Sequence, residues 1–196
     1  MSTLPPLSSV LQDKDDLNTA LSILFEPSPI LTDTLVPQLY TQLQSATPRP
    51  STYADVIDLA MKQIHEWQPL PKAAFIEGHP RIGEVKGLSA LSNKEQASPT
   101  APTTLARLAH LNEMYERRYT GLRFVIFVNG RTRAEIVPIM ESKLGIGPAE
   151  EGQELEPSTD TVLPLDASDE AWEHELERAV HDVGLIAKAR LNALGV

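Results

Sequence analysis

Sixteen prolines are spread through the chain, and most of them fall between stretches of helical periodicity rather than inside them. Proline has no amide hydrogen and disfavours helical backbone at the residue before it, so each proline cluster limits how far a helix can run. Between these limits, apolar residues recur at the i, i+3, i+4, i+7 spacing of one helix face, as at Leu17, Ala20, Leu21 and Leu24. The sequence therefore predicts a series of short amphipathic helices packed side by side.

The periodic stretches and their capping residues set the expected helix bounds. Ser51 is a good N-cap for the clearest of these helices. Pro37 indicates a kink or a late start in its helix, and residues 72–77 are expected to form a short turn. The expected helices cover residues 13–26, 30–44, 51–67, 103–119, 133–144 and 167–194, with a further helix starting at Ser92.

One segment has a different pattern. Residues 124–128 (FVIFV) form a continuous apolar run closed by Asn129-Gly130, which favours extended backbone. No second strand candidate is present, so we expect this segment to be buried among helices and to belong to no sheet of three or more strands. Its backbone groups then need partners other than a β-ladder. The expected fold is an all-α, single-domain helical bundle over residues 1–196 with one buried extended segment at about 124–128.

The charge and residue content exclude several classes of function. The 17 basic and 27 acidic residues give a net charge of −10, which repels phosphate backbones, so nucleic acid is not an expected partner. The chain has no cysteine, which excludes disulfide frameworks, thiol nucleophiles and iron–sulfur ligation. No apolar run approaches the roughly 18 to 20 residues that span a bilayer, so no membrane partner is expected. We expect a soluble, cytoplasmic protein; a peroxisomal location stays open, although residues 194–196 are not Ser-Lys-Leu.

A strongly acidic stretch lies toward the C-terminus. From Glu150 to Glu177 there are 11 acidic side chains and no lysine or arginine. Such a run is typical of a solvated loop followed by an acidic helix start, with cation binding or a basic partner as the functional alternatives. We expect an acidic loop at about 145–166 that is mobile and dispensable.

Two polar residues in the middle of the chain are candidates for proton chemistry. His79 lies in the turn 78–83 (GHPRIG), where glycine and proline favour a rigid non-helical backbone and Arg81 would favour the neutral imidazole. A surface turn with an incidental histidine is the alternative. Glu95 lies in the stretch 92–96 (SNKEQ), which has the pattern of a capping box. Its carboxylate either caps the helix or faces a ligand at the helix N-terminus.

Arg190 is the third candidate. It shares the apolar face of the last helix with Val183, Ala187 and Leu194. Burying a guanidinium requires a nearby anion, which is either a structural carboxylate or an anionic substrate. If the partner is a substrate, the empty protein carries an unpaired buried charge, and Arg190→Ala is then expected to fold better than the wild type.

The remaining histidines show no metal-ligand spacing, and the chain has neither a phosphate-binding glycine loop nor a dinucleotide fingerprint. No metal and no cofactor are therefore predicted. Any chemistry is expected to come from acidic, basic or hydroxyl side chains acting on a small-molecule substrate.

Several stretches of the chain, taken in order, resemble the 2-oxo-4-hydroxy-4-carboxy-5-ureidoimidazoline (OHCU) decarboxylase family of urate degradation. The combination of GHPRIG with the later S-x-x-E-Q pattern is the most specific part. The similar stretches are 17–29 (LNTALSILFEPSP), 75–83 (FIEGHPRIG), 92–96 (SNKEQ), 111–115 with 119–128, and 187–191 (AKARL). The resemblance implies an all-α enzyme that needs no metal or organic cofactor and assembles as a homodimer.

By position in these motifs, the resemblance implies catalytic roles for His79, Glu95 and Arg190. It implies that the substrate pocket is formed by Pro80, Ser92, Gln96 and the backbone of Ile126, Phe127 and Val128. The implied reaction is the loss of the C4 carboxylate of OHCU as CO₂, followed by protonation on one face to S-allantoin. His79 would handle the proton, Glu95 would orient the C4 hydroxyl or hold the imidazole tautomer, and Arg190 would bind an anionic or ureide oxygen.

Two other functions are compatible with the same fold. A non-catalytic helical interaction module would use the acidic loop as its partner surface, and a related ureide lyase would act on a shifted substrate. Intact His79, Glu95 and Arg190 favour the decarboxylase, because a module released from catalysis has no reason to keep an inward arginine.

Overall fold

The computed structural model describes residues 3–84, 88–95, 99–150 and 152–196, without the side chains of Asn93 and Glu95. Within these ranges the regular secondary structure is helical, apart from one isolated β-bridge between Tyr119 and Leu165, which confirms the all-α fold class. The helices are α1 Leu7–Val10, α2 Lys14–Phe25, α3 Val36–Ser45, α4 Tyr53–His65, α5 Pro69–Glu77, α6 Ala90–Glu95, α7 Pro102–Arg118, α8 Arg133–Leu144 and α9 Glu170–Leu194.

Two short turns of other helix types accompany these elements. A π-helical turn, Leu31–Leu35, precedes α3, and a 3-10 turn covers Thr159–Thr161. Residues 29–45 are helical throughout, so this helix does not start late. Pro37 directly follows the π-helical turn and lies in the first turn of α3, so the departure from regular α-helix lies just before this proline. Capping boxes at Thr52 and Thr132 begin α4 and α8, so the N-cap of α4 is Thr52 and not the predicted Ser51.

Helix α5 departs most from the expected helices. Residues 72–77, expected to be a short turn, form the C-terminal part of α5, which begins at Pro69. Pro69 and Pro71 lie in the first turn, where a missing amide hydrogen breaks no helical hydrogen bond, so these prolines start a helix instead of ending one. Helix α6 likewise begins at Ala90, two residues before the predicted Ser92.

Helix α9 is the central element of the core. It packs against α2, α4 and α5, while α7 packs against α8. Leu176, Val180 and Val183 on its inner face are fully buried. Arg190 continues this face, as its spacing predicts, and is 3% exposed. None of the helices in the described ranges combines the length and the apolar character needed to cross a membrane.

The segment 122–128 has neither helix nor strand, so it belongs to no sheet in the described chain, as predicted. Phe124 and Val125 are buried, whereas the next three residues are half-buried, which corrects the expectation that all of 124–128 is buried. Those three residues line a cavity instead of filling the core. The Phe127 amide donates to Asp182 Oδ2 of α9 at 3.1 Å, so a side chain replaces the missing ladder partner.

The acidic loop is attached to α7 at several points, which argues against the expectation that it is mobile and dispensable. Arg107 donates to the carbonyls of Glu154, at 3.1 Å, and of Glu156, and the His110 ring donates to the carbonyl of Pro157 at 2.9 Å. Arg107 and His110 are both buried. The loop therefore binds through backbone oxygens to basic groups of α7, and a count of its charged side chains cannot detect such contacts.

Replacing residues 150–164 with a short Gly/Ser linker is expected to destabilise the protein. The change leaves buried donors on Arg107 and His110 without their carbonyl acceptors. Each donor left without an acceptor lowers the free energy of unfolding by about 1–3 kcal/mol. In a chain of this size 1 kcal/mol shifts the melting temperature by about 2–4 °C, so the two groups together should lower it by roughly 4 °C or more. Thermal unfolding followed by circular dichroism measures the change.

Arg117→Gln is the control for this prediction. Arg117 pairs with Asp160 of the same loop, but the two side chains are 44% and 85% exposed. Losing an exposed pair of this kind is worth about 1 kcal/mol or less. An unchanged melting temperature for the linker variant would show that the loop contacts do not stabilise the body.

Candidate active site

One cavity of about 510 Å³ collects most of the residues that the sequence singles out. It lies between the turn after α5, helix α6, the segment 122–128 with the loop that follows it, and the last turns of α9. Seven predicted site residues line it, namely His79, Pro80, Ser92, Ile126, Phe127, Val128 and Arg190. Two other predicted site positions, the Glu95 side chain and residue Gln96, lie outside the described residues.

The turn that carries His79 is held by contacts on both sides of it. Arg123 Nη1 donates to the carbonyls of Glu77 and His79, at 2.5 and 2.6 Å. The Asn112 side-chain amide donates to the carbonyl of Ile82 at 3.0 Å. These donors satisfy carbonyls at and beyond the C-terminal end of α5, so the backbone around His79 is fixed from outside the turn.

The glycines that flank this turn are required by close packing. A Cβ at Gly78 would lie 2.8 Å from Ser28 Cβ, closer than two such atoms can approach. Gly83 has φ +86°, which an L side chain rarely adopts, and a Cβ there would lie 3.1 Å from Leu108 Cδ1. The glycines of the GHPRIG stretch therefore let the turn pack directly against neighbouring elements.

The imidazole of His79 is buried with one ring nitrogen free. Nδ1 lies 3.3 Å from the Phe75 carbonyl, which accepts a hydrogen bond and so places the ring hydrogen on Nδ1. Nε2 then carries the lone pair, and it has no hydrogen-bond partner within the described chain. The ring also packs edge-on against Phe75, with centroids 5.7 Å apart. His79 thus presents an unprotonated nitrogen beside the cavity.

Burial, and after it the positive charge of Arg190, lowers the pKa of His79 to about 4, although the negative charge of Glu26 opposes this shift. The neutral imidazole predicted from the sequence is therefore supported, but its cause differs from the one expected. Arg81 points to α7 instead, where its guanidinium binds Glu116 with two contacts of 2.7 Å. The cation that favours neutral His79 is Arg190, not its near neighbour in the sequence.

Arg190 has a permanent acidic partner, Glu26, which the sequence analysis did not identify. Arg190 Nη2 lies 2.6 Å from Glu26 Oε1 and 2.8 Å from Ser92 Oγ, and Nη1 donates to the Leu24 carbonyl at 3.3 Å. Glu26 is 4% exposed and follows the last residue of α2. It lies within the stretch LNTALSILFEPSP that resembles the decarboxylase family, so its presence in that motif was the available signal.

The two serines of the α6 region complete this cluster. Ser92 Oγ and Ser89 Oγ donate to Glu26 Oε1 at 2.5 and 2.8 Å. Burial raises the pKa of Glu26, but the charge of Arg190 and the hydrogen bonds from both serines and from Arg190 outweigh burial, so the pKa lies below its ordinary value. Glu26 is therefore ionised at neutral pH, and its contact with Arg190 is a buried ion pair.

The wall formed by residues 126–128 offers only part of its backbone to a ligand. The carbonyls of Phe127 and Val128 accept hydrogen bonds from the Arg131 guanidinium at 2.5 and 2.8 Å, and the Phe127 amide is bound to Asp182. No described residue bonds to the N–H or C=O of Ile126, or to the N–H of Val128. These three groups are the ones that the wall can present to a ureide.

The cavity is locally basic although the chain carries a net charge of −10. Lys94, Arg131 and Arg190 line it, and none of its described lining residues bears a carboxylate. Within the described chain, no group of histidine, aspartate and glutamate side chains is placed to hold a metal ion. The described lining therefore offers a neutral base and cations to a small anionic ligand.

The pH dependence of stability should report the buried His79. An unfolded histidine binds a proton near pH 6.5, whereas folded His79 does so only near pH 4, so the unfolded state binds more protons in this window. Stability is therefore lost as the pH falls from about 6.5 to about 4, and by pH 5 the loss from this residue is about 2 kcal/mol. Urea unfolding at pH 7 and pH 5 should show that His79→Gln loses less stability than the wild type over this pH range, because the variant has no histidine at this position to take up the proton.

His181→Gln serves as the control, because His181 is an exposed residue of the same helix bundle, on α9. This variant should lose stability between pH 7 and pH 5 as the wild type does. Equal losses in the wild type and in His79→Gln would contradict the burial argument.

The ion pair reverses the expectation that Arg190→Ala would stabilise the fold. Arg190→Met keeps the volume of the side chain but leaves the Glu26 carboxylate buried without its cation, which should cost about 3–5 kcal/mol. The double variant Arg190→Met/Glu26→Gln removes both charges and should recover most of that loss. Urea unfolding at pH 7 measures both, and an Arg190→Met variant as stable as the wild type would restore the original expectation.

Comparison with known proteins identifies the family of the chain. No curated protein matches the chain. The family model described as OHCU decarboxylase matches residues 11–158, about three quarters of the chain, which include His79 and Glu26 but end before Arg190. On this match the chain belongs to the OHCU decarboxylase family, a family of carboxy-lyases of urate degradation.

Proposed function

We propose that this chain catalyses the cofactor-independent decarboxylation of OHCU to S-allantoin. The observation that carries the proposal is the neutral, buried His79, which lines the same cavity as Arg190 and whose Nε2 has no hydrogen-bond partner in the described chain. A pKa of about 4 leaves the ring unprotonated at neutral pH and therefore able to accept a proton. The same low pKa makes the imidazolium that forms a strong proton donor, which favours the later protonation step.

The reaction releases the C4 carboxylate as CO₂ and leaves its electron pair on the ring system. In the proposed mechanism, His79 Nε2 accepts the C4 hydroxyl proton, and the imidazolium so formed donates a proton to one face of the enediolate-like intermediate. The substrate anion loses CO₂ and takes up one proton overall, which solvent supplies. Delivery from one fixed ring explains why a single enantiomer would form.

The imidazole tautomer needs no further residue, because the Phe75 carbonyl holds the Nδ1 hydrogen. Of the two roles that the family resemblance implies for Glu95, we therefore propose that of orienting the C4 hydroxyl. Arg190 is proposed to offer oriented N–H groups to an oxygen of the substrate, with its charge offset by Glu26. The backbone of Ile126 is proposed to bind the ureide group.

The direct test is to add synthetic OHCU and to follow the formation of chiral allantoin by circular dichroism. Stereospecific formation of S-allantoin by the wild type supports the proposal. A wild type without activity would favour the non-catalytic module, and turnover to another product would favour a related ureide lyase. The proposed homodimer is tested separately by light scattering on a size-exclusion column.

His79→Ala is expected to lower kcat by about 10²–10⁴-fold with a smaller change in KM, because a general acid–base contributes on this scale to the chemical step. The measurement is the rate of S-allantoin formation over a range of OHCU concentrations. His110→Ala is the matched control, since His110 is also buried but donates to the acidic loop. A His79→Ala variant with near-normal turnover would show that the proposed mechanism is wrong.

A further inference from the structure

Glu26 is a buried acidic residue beside the candidate active site, and the proposed reaction gives it no direct contact with the substrate. Its Oε1 atom accepts hydrogen bonds from three side chains, those of Arg190, Ser92 and Ser89, at 2.6, 2.5 and 2.8 Å. Arg190 and Ser92 line the cavity, whereas Glu26 does not. The carboxylate therefore lies behind two lining residues and contacts both of them.

The backbone at Glu26 is strained. Glu26 has φ +71° and ψ 140°, a conformation that glycine adopts freely and that other residues adopt only at a cost in free energy. Among the described non-glycine residues, only Asn129 also has a positive φ, and asparagine tolerates this region well. A glutamate stands where the backbone favours glycine, so its side chain supplies something that glycine would not.

The charge of Glu26 changes what a substrate meets in the cavity. At 2.6 Å its negative charge offsets much of the positive charge of Arg190. A cation that bound the substrate carboxylate strongly would stabilise the ground state and resist the loss of CO₂. An arginine held by a carboxylate can still donate oriented hydrogen bonds while attracting an anion less.

We propose that Glu26 is a positioning residue that holds Arg190 and Ser92 in place at the cavity and limits the attraction of Arg190 for the carboxylate of the substrate. This inference rests on the proposed function for the identity of the substrate. It concerns a residue that does not touch the substrate and acts through Arg190 and Ser92.

The test compares two variants that each remove one buried negative charge. Glu26→Gln keeps the size of the side chain and one oxygen acceptor. Glu141→Gln is the matched control, because Glu141 is also 4% exposed and also pairs with an arginine, Arg107, at 2.8 Å. Glu141 does not line the cavity, so a general loss of stability will be common to both variants.

Calorimetry measures the Kd of two stable probes, the urate monoanion and neutral allantoin, for each folded protein at pH 7.5. In Glu26→Gln the preference for the anion over the neutral ureide should increase about tenfold relative to the wild type. With OHCU as substrate, kcat should fall about tenfold or more while KM does not rise. Glu141→Gln should leave the probe preference and KM unchanged.

A second measurement requires neither turnover nor a ligand. The charge of Glu26 raises the pKa of His79, so Glu26→Gln should lower the His79 titration midpoint. NMR of the histidine rings, with His79 assigned from His79→Gln, follows this midpoint. It should be unchanged in Glu141→Gln.

The outcomes separate this proposal from the proposed function. If the wild type fails to convert OHCU, the proposed function is wrong, and the probe preference and the His79 midpoint still decide the role of Glu26. If neither probe binds the wild type, the His79 titration midpoint alone decides the role of Glu26. A Glu26→Gln variant that matches Glu141→Gln in both measurements would show that Glu26 only stabilises the fold.

Discussion

Arg190 and Glu26 meet at 2.6 Å in the interior, where neither charge could remain without a partner. The contact joins the end of α2 to the last turns of α9, and the hydrogen bonds from Ser92 and Ser89 add the α6 region to the same point. Because α9 also packs against α5, the helix that leads to His79, the pair fixes Arg190 relative to the imidazole. The candidate site is thus assembled by a polar contact in the core rather than by the cavity walls alone.

The sequence predicts the amphipathic helices well and the polar contacts between them poorly. Helices α2, α4 and α9 each have one apolar face, and that periodicity is a local property of the chain. Helix α5 is not predicted, because a proline cluster such as Pro69 and Pro71 limits the preceding helix, although proline is equally suited to the first turn of a new one. The two prolines are compatible both with the end of α4 and with the start of a new helix, and the packing of residues 72–77 decides between these interpretations.

The inward position of Arg190 could be predicted, but its partner could not. An arginine on an apolar helix face requires an anion, yet Glu26 lies 164 residues away in the chain and has no unusual local pattern apart from its family motif. His79 shows the same limit. Its neutral state was predicted from the adjacent Arg81, whereas the fold turns Arg81 toward Glu116 and brings Arg190 to the imidazole instead. The direction of an electrostatic effect can follow from residue types, but its source depends on tertiary structure.

The acidic surplus of the chain is kept apart from the candidate site. No described residue from 150 to 164 lines the cavity, because the loop is bound to α7 through Arg107 and His110. At physiological ionic strength, interactions between exposed charges are largely screened beyond about 8 Å, so charges on the cavity wall affect a bound anion more than the net charge does. The cations Lys94, Arg131 and Arg190 on the cavity wall therefore favour an anionic ligand even in an acidic protein, and the role that we propose for Glu26 is to limit how strongly Arg190 attracts it.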